Sequence, residues 1–189
     1  MAIEYEPRRF TVDEYHRLVK VGILDETERV ELLDGQIVAM SPIGKRHWLV
    51  HAHAVRYLNA ALGEQAIVSG QGSFPLGFHD EPQPDVAVLA PSVARDFETR
   101  AEPSEILAMI EIAETSLAKD RKVKLPLYAR FGILDYIIVD LKRDVVVHHT
   151  EPHGRLYSNV ATLRHTMTFQ LAAFPAMELQ ADAFLPSLR

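Results

Sequence analysis

At 189 residues, 48% of them hydrophobic, the chain carries enough apolar material to bury a core of ordinary size as a single domain spanning residues 1–189. It has no cysteine, which excludes disulfides and thiolate metal sites and suits a reducing compartment. The formal net charge of -6 weighs against indiscriminate nucleic-acid binding, because phosphate neutralisation supplies most of that affinity.

The opening MAIEYEPRRF has no apolar signal core, and no later apolar run approaches the ~18 residues that span a bilayer, so a cytoplasmic chain without membrane segments is expected. Thr11 followed three residues later by Glu14 has the form of a capping box and predicts a short helix over TVDEYHRLV, ended near Gly22. RVELLDGQIVAM alternates around Asp34-Gly35, the pattern of a two-residue hairpin. Glu31 lies on its first arm. Two readings of it stand, a carboxylate near a bound cation or an exposed strand residue.

Ser41-Pro42 leads into HWLVHAHAVRYLNAALG, whose apolar positions recur at helical spacing up to Gly63. His47 and His51 fall four apart there, with His53 close by. No glutamate or third ligand accompanies them, so packing or surface histidines are expected rather than zinc ligands. Ala66 to Ser69 reads as a short strand, QGSFPLGFHDEPQP as a turn-rich crossing, and Val86 to Ala90 as a buried strand with Asp85 at its mouth. Residues Pro91 to Glu105, with Arg95, Asp96, Glu98, Arg100 and Glu102, read as a polar surface excursion.

The apolar run Ile106 to Ala113 is short enough for a buried strand and is interrupted by one charge, Glu111. An ionised group in such a strand loses hydration worth several kcal/mol unless a cation, a donor or a proton compensates it. After a Thr115-Ser116 turn the period changes, and Asp120, Lys124 and Tyr128 fall four apart on one face of a helix from about Leu117 to Phe131. Pro126 predicts a kink or a late start in it. Beyond Gly132, ILDYIIVDL is a buried strand parallel to that of Glu111, since a helical crossover joins them, and VVVHHT is its antiparallel partner. The adjacent His148 and His149 point to opposite faces of that strand and cannot chelate together. Arg155 to Ala161 and Thr166 to Leu171 read as further strands. No phosphate-binding glycine loop or Gly-Xaa-Ser-Xaa-Gly elbow is present.

If the Asp85 and Glu111 strands pair, their carboxylates can converge on one hard divalent cation, with Lys124 over the same point. That constellation resembles the PD-(D/E)XK nuclease superfamily. VELLDGQIV (30–38), SPIGKRH (41–47), EPQPDVAVL (81–89) and EIAETSLAKDRKVKLPLYARFGILDYIIVDL (111–141) resemble, more narrowly, the Uma2 family of restriction-type endonucleases. The resemblance implies an α/β restriction-endonuclease-like fold, a mixed central sheet flanked by helices. It implies Mg2+- or Mn2+-dependent hydrolysis of DNA phosphodiester bonds, and a possible homodimer. Asp85 and Glu111 are then the metal ligands with the Ile112 carbonyl, Lys124 is the catalytic cation and Glu31 a further site carboxylate. One position departs from the superfamily pattern: the lysine expected two residues after the strand glutamate is Ala113 here, so the resemblance assigns the role to Lys124. Ala113 and the acidic balance favour a rival expectation, a catalytically inactive nucleic-acid or protein binding module that keeps the fold.

Overall fold

A computed structural model describes residues 7–25, 27–95 and 100–185. The opening residues 1–6, the excursion residues Asp96 and Glu98, and the last residues 186–189 lie outside the described residues. Helix α1 (Val12–Lys20) starts at the expected capping box, with Thr11 and Glu14 each accepting from the other's backbone N–H. Strands β1 (Val30–Leu33) and β2 (Gln36–Ala39) form the predicted hairpin, and Asp34 and Gly35 both take the positive φ that its turn requires. Helix α2 (Lys45–Leu62) buries Val50, Ala54, Leu58 and Leu62, one residue every four, along a single stripe.

The central sheet has six strands in the order β3 (Ile67–Gly70), β4 (Val86–Leu89), β5 (Ile106–Ala113), β6 (Asp135–Asp140), β7 (Val145–His153) and β8 (Leu156–Leu163). Only β5 and β6 run parallel, as a helical crossover demands, so the sheet is mixed. The α/β fold with helices flanking a mixed sheet agrees with the expectation from sequence. Alternation divides the core. Ala108, Ile110 and Ile112 face α2 and the C-terminal residues Phe169, Leu179 and Phe184, while Met109 and Ala113 face Leu127 and Tyr128 on the other side. Glu111 therefore projects toward the crossover helix.

Two elements differ from the periodicity reading. The expected helix over Leu117 to Phe131 is three pieces, α3 (Leu117–Lys119), a π-helical turn over Asp120–Lys124, and α4 (Leu125–Arg130). Pro126 has no N–H to give to Lys122, and its ring crowds that carbonyl in a regular helix; the chain widens instead, and the Leu125 N–H reaches back five residues to Asp120. The expected strand over Thr166 to Leu171 contracts to β9 (Thr168–Phe169), paired with β10 (Leu179–Gln180). No helix among the described residues is long and apolar enough to cross a membrane.

The β1–β2 hairpin is outside the main sheet and is fastened to it by a few polar contacts. Asp80, 2% exposed, accepts from the Asp34 N–H at 2.6 Å and from Arg130 at 2.6 Å, while Leu32 and Glu81 form a single antiparallel bridge. Asp80→Ala removes the acceptor of that part-buried N–H and frees Arg130, so urea denaturation should show a loss of about 1 kcal/mol. Unchanged stability would mean that the hairpin is held without this carboxylate.

Candidate active site

Antiparallel register brings the two strand carboxylates together. Val86 pairs with Ile110, so Asp85, one residue before β4, stands opposite Glu111. Asp85 Oδ2 accepts from the Ile112 N–H at 2.7 Å and contacts His47 Nε2 at 3.1 Å. The histidine comes from the first turn of α2, which also sends His51 Nε2 to the Asp85 backbone carbonyl at 3.0 Å. His47 and His51 thus position the Asp85 segment instead of pairing with each other.

The π-helical turn carries the cation. Lys124, 1% exposed, donates to Glu111 Oε1 at 2.8 Å, lies 3.0 Å from Glu31 Oε2, and reaches the Gln83 carbonyl at 3.2 Å. Tyr128, one turn on, gives its hydroxyl to the same Glu111 oxygen at 3.0 Å. Glu31 is fully buried and not an exposed strand residue. It also pairs with Lys119 at 2.7 Å and accepts from the Gln83 N–H. Asp85, Glu111, Ile112 and Lys124 line one pocket of about 40 Å³, room for a few waters or a hydrated ion and too small for a base. Glu31 stands behind Lys124 and outside that lining.

Asp120 also lines this pocket. Its Oδ2 accepts from the Ser116 hydroxyl at 2.7 Å, and its Oδ1 is buried with no partner. The four-residue spacing with Lys124 placed Asp120 on the right face, but no sequence signal gave it a role. Gln83 was missed too, hidden between two prolines that read only as a loop.

Electrostatics split the carboxylates. Burial pushes Glu31 up, yet Lys124 and Lys119 outweigh it and hold the group below the usual carboxylate range. Asp85 is likewise held low, since its bonds from His47 and Ile112 overcome burial. Glu111 goes the other way. Burial raises it far above the ordinary value, Asp85, Asp120 and Glu31 add repulsion, and Lys124 only partly opposes them. Asp120 is raised by burial as well, against its hydrogen bond from Ser116. Burial would lower Lys124, but the Glu111 and Glu31 charges dominate and raise it.

Comparison with known proteins bears on this arrangement. The model of the Uma2 family, described as "Putative restriction endonuclease", matches residues 12–182. The chain is also similar to the crystal structure of "a putative nuclease belonging to DUF820" from Anabaena variabilis ATCC 29413, with 18% sequence identity and a TM-score of 0.70. That alignment covers 93% of this chain and 97% of the other, and at such identity it speaks to the fold alone. No curated protein matches the chain. The elements from α1 to β10 fall within the matched span, and the chain belongs to the Uma2 family.

Proposed function

We propose that the chain is a divalent-cation-dependent nuclease that hydrolyses DNA phosphodiester bonds at the Asp85–Glu111–Lys124 pocket. One observation carries this reading, an uncompensated negative charge at a solvent-sized pocket. Five carboxylates, Glu31, Asp85, Glu111, Glu114 and Asp120, meet three cationic side chains, Arg29, Lys119 and Lys124. The surplus sits on Glu111 and Asp120, the two whose ionised forms are disfavoured. Among the described residues, Asp85 Oδ1 and Glu111 Oε2 carry no hydrogen bond, and Asp120 Oδ1 is an orphan. A hard divalent cation prefers such oxygens.

Among the described residues, no group of three or more His, Cys, Asp or Glu side chains is arranged to hold a metal ion. Magnesium keeps several waters and binds through one or two carboxylates, so the Asp85–Glu111 pair would be enough for it or for manganese. Asp85 and Glu111 would hold the ion, with the Ile112 carbonyl as a further donor. When bound, it would supply water of lowered pKa and positive charge beside a phosphoryl oxygen.

The chain's own residues do the rest. Tyr128 and Lys124 fix one Glu111 oxygen, and His47 with the Ile112 N–H fixes one Asp85 oxygen, so each carboxylate presents its other oxygen in a set direction. Lys124 is held charged between Glu111 and Glu31 and stabilises negative charge that grows on the phosphoryl oxygens. Glu31 keeps Lys124 in place. The rival reading, a binding module without chemistry, is favoured by a lysine turned away from the carboxylates, whereas Lys124 lies 2.8 Å from Glu111. Two copies of the chain would supply the two sites that a double-strand break requires, and light scattering at micromolar concentration tests for them.

Calorimetry with magnesium and manganese should show uptake by the wild type and weaker uptake by Asp85→Asn; equal uptake by both would remove Asp85 from the site. In EDTA, Glu111→Gln should raise the melting temperature because it removes a buried charge repelled by three others, while added magnesium should stabilise only the wild type. A Glu111→Gln protein that melts lower than the wild type in EDTA would contradict the charge imbalance. Lys124→Met should cut plasmid or single-strand hydrolysis by about two to three orders of magnitude while metal uptake persists. Near-UV dichroism must accompany that variant, since breaking a buried pair costs about 3–5 kcal/mol. Wild-type rates in a folded Lys124→Met would refute the role of Lys124.

A further inference from the structure

A groove of about 700 Å³ lies beside the candidate active site, between the crossover helix and the last two strands of the sheet. Its floor follows from register. Val147 pairs with Thr162 and His149 with Val160, so alternate residues of β7 and β8 project to one face, and Val160 is left 54% exposed there. Its rim is cationic. Arg121 comes from the π-helical turn, Arg143 from the β6–β7 turn and Arg164 from the end of β8, and no carboxylate lines the groove among the described residues. In a chain of net charge -6 this is a segregated positive surface.

The groove adjoins the pocket through shared chain. Asp120 and Lys124 line the pocket, while their immediate successors Arg121 and Leu125 line the groove. The β6–β7 turn that carries Arg143 is tied to α2 by Arg46 and Asp144 at 2.6 Å, next to His47 of the pocket. His149, under the rim, meets the Tyr136 carbonyl through Nδ1, so that nitrogen carries the proton. Burial keeps the ring below the usual histidine range, and the His148 and Arg121 charges act in the same direction.

We propose that this groove seats the phosphodiester backbone of a nucleic-acid strand, with Arg121, Arg143 and Arg164 pairing with phosphates and the valine floor lying against sugars. The choice of ligand class rests on the nuclease reading. An acidic peptide offers charge but no reason to lie against a phosphodiesterase pocket, whereas a strand held here passes the Lys119–Leu125 segment that carries Lys124.

The test is fluorescence anisotropy of labelled single-stranded and duplex oligonucleotides in EDTA, across a salt series, on the wild type and on Arg121→Gln/Arg164→Gln. Both arginines are exposed, and Thr162→Glu, which places a negative charge on the floor, provides an independent variant. The double variant should bind at least tenfold more weakly, and its log–log salt slope should fall by roughly 1.4 to 1.8, at about 0.7 to 0.9 per lost phosphate contact. Thr162→Glu should weaken binding in the same direction. Unchanged affinity and slope in both variants would overturn the groove while leaving hydrolysis standing, if the wild type still cleaves. Wild-type protein that binds through these arginines but cleaves nothing with magnesium or manganese would support the groove and overturn the catalytic reading. No oligonucleotide binding, with a concentration-dependent dimer in sedimentation that Arg121→Gln/Arg164→Gln abolishes, would assign the groove to a second copy instead.

Discussion

A lysine ammonium buried between two glutamates is the contact on which the rest of the site depends. Lys124 joins three elements that share no sheet: the π-helical turn that carries it, β5 through Glu111, and the outlying hairpin through Glu31. Removing such charges from water costs several kcal/mol per ion, and a well-packed apolar trio would serve stability at least as well. The arrangement is understandable if the ammonium has a task that an apolar residue cannot perform. The Gln83 carbonyl accepts from the same ammonium, and Tyr128 holds the Glu111 oxygen that pairs with it.

The carboxylates around Lys124 are not equivalent. Glu31 and Asp85 have donors enough to remain ionised, whereas Glu111 and Asp120 are crowded by burial and by like charges. Glu31 thus anchors the lysine, and the unbalanced charge is concentrated toward the pocket. The π-helical turn makes this possible. In the same segment it turns Asp120 and Lys124 inward and leaves Arg121 and Lys122 exposed, so the acidic centre and its basic margin are built from neighbouring residues. An overall negative chain can in this way offer a locally positive approach to an anionic ligand.

Much of this was legible in the sequence because it depends on local chemistry. Thr11 and Glu14 announce a capping box, Asp34-Gly35 a hairpin, and the β-branched runs around Val86, Ile110 and Ile137 a buried sheet, each through a rule that operates within a few residues. Glu111 stood out for the same reason, since a charge in an apolar strand requires a partner wherever that strand lies. The parallel pairing of β5 and β6 followed from the helical crossover that joins them.

What the sequence could not decide depended on long-range geometry. That Glu31 is buried and not exposed was decided only by docking of the hairpin, which Asp80 and the Leu32–Glu81 bridge secure from nearly fifty residues away. Pro126 announced an irregular helix, but only packing against β5 and Tyr136 selected a widened turn over a kink, and that choice buried Asp120 and Lys124 together. His47 had no visible partner until antiparallel register set Asp85 beside α2. The basic rim of Arg121, Arg143 and Arg164 has no trace in local pattern, because its members lie on three elements. By itself the sequence determined which residues needed partners, since hydration and backbone geometry act locally; only the tertiary structure decided who the partners were, since register and docking act between segments distant in the chain.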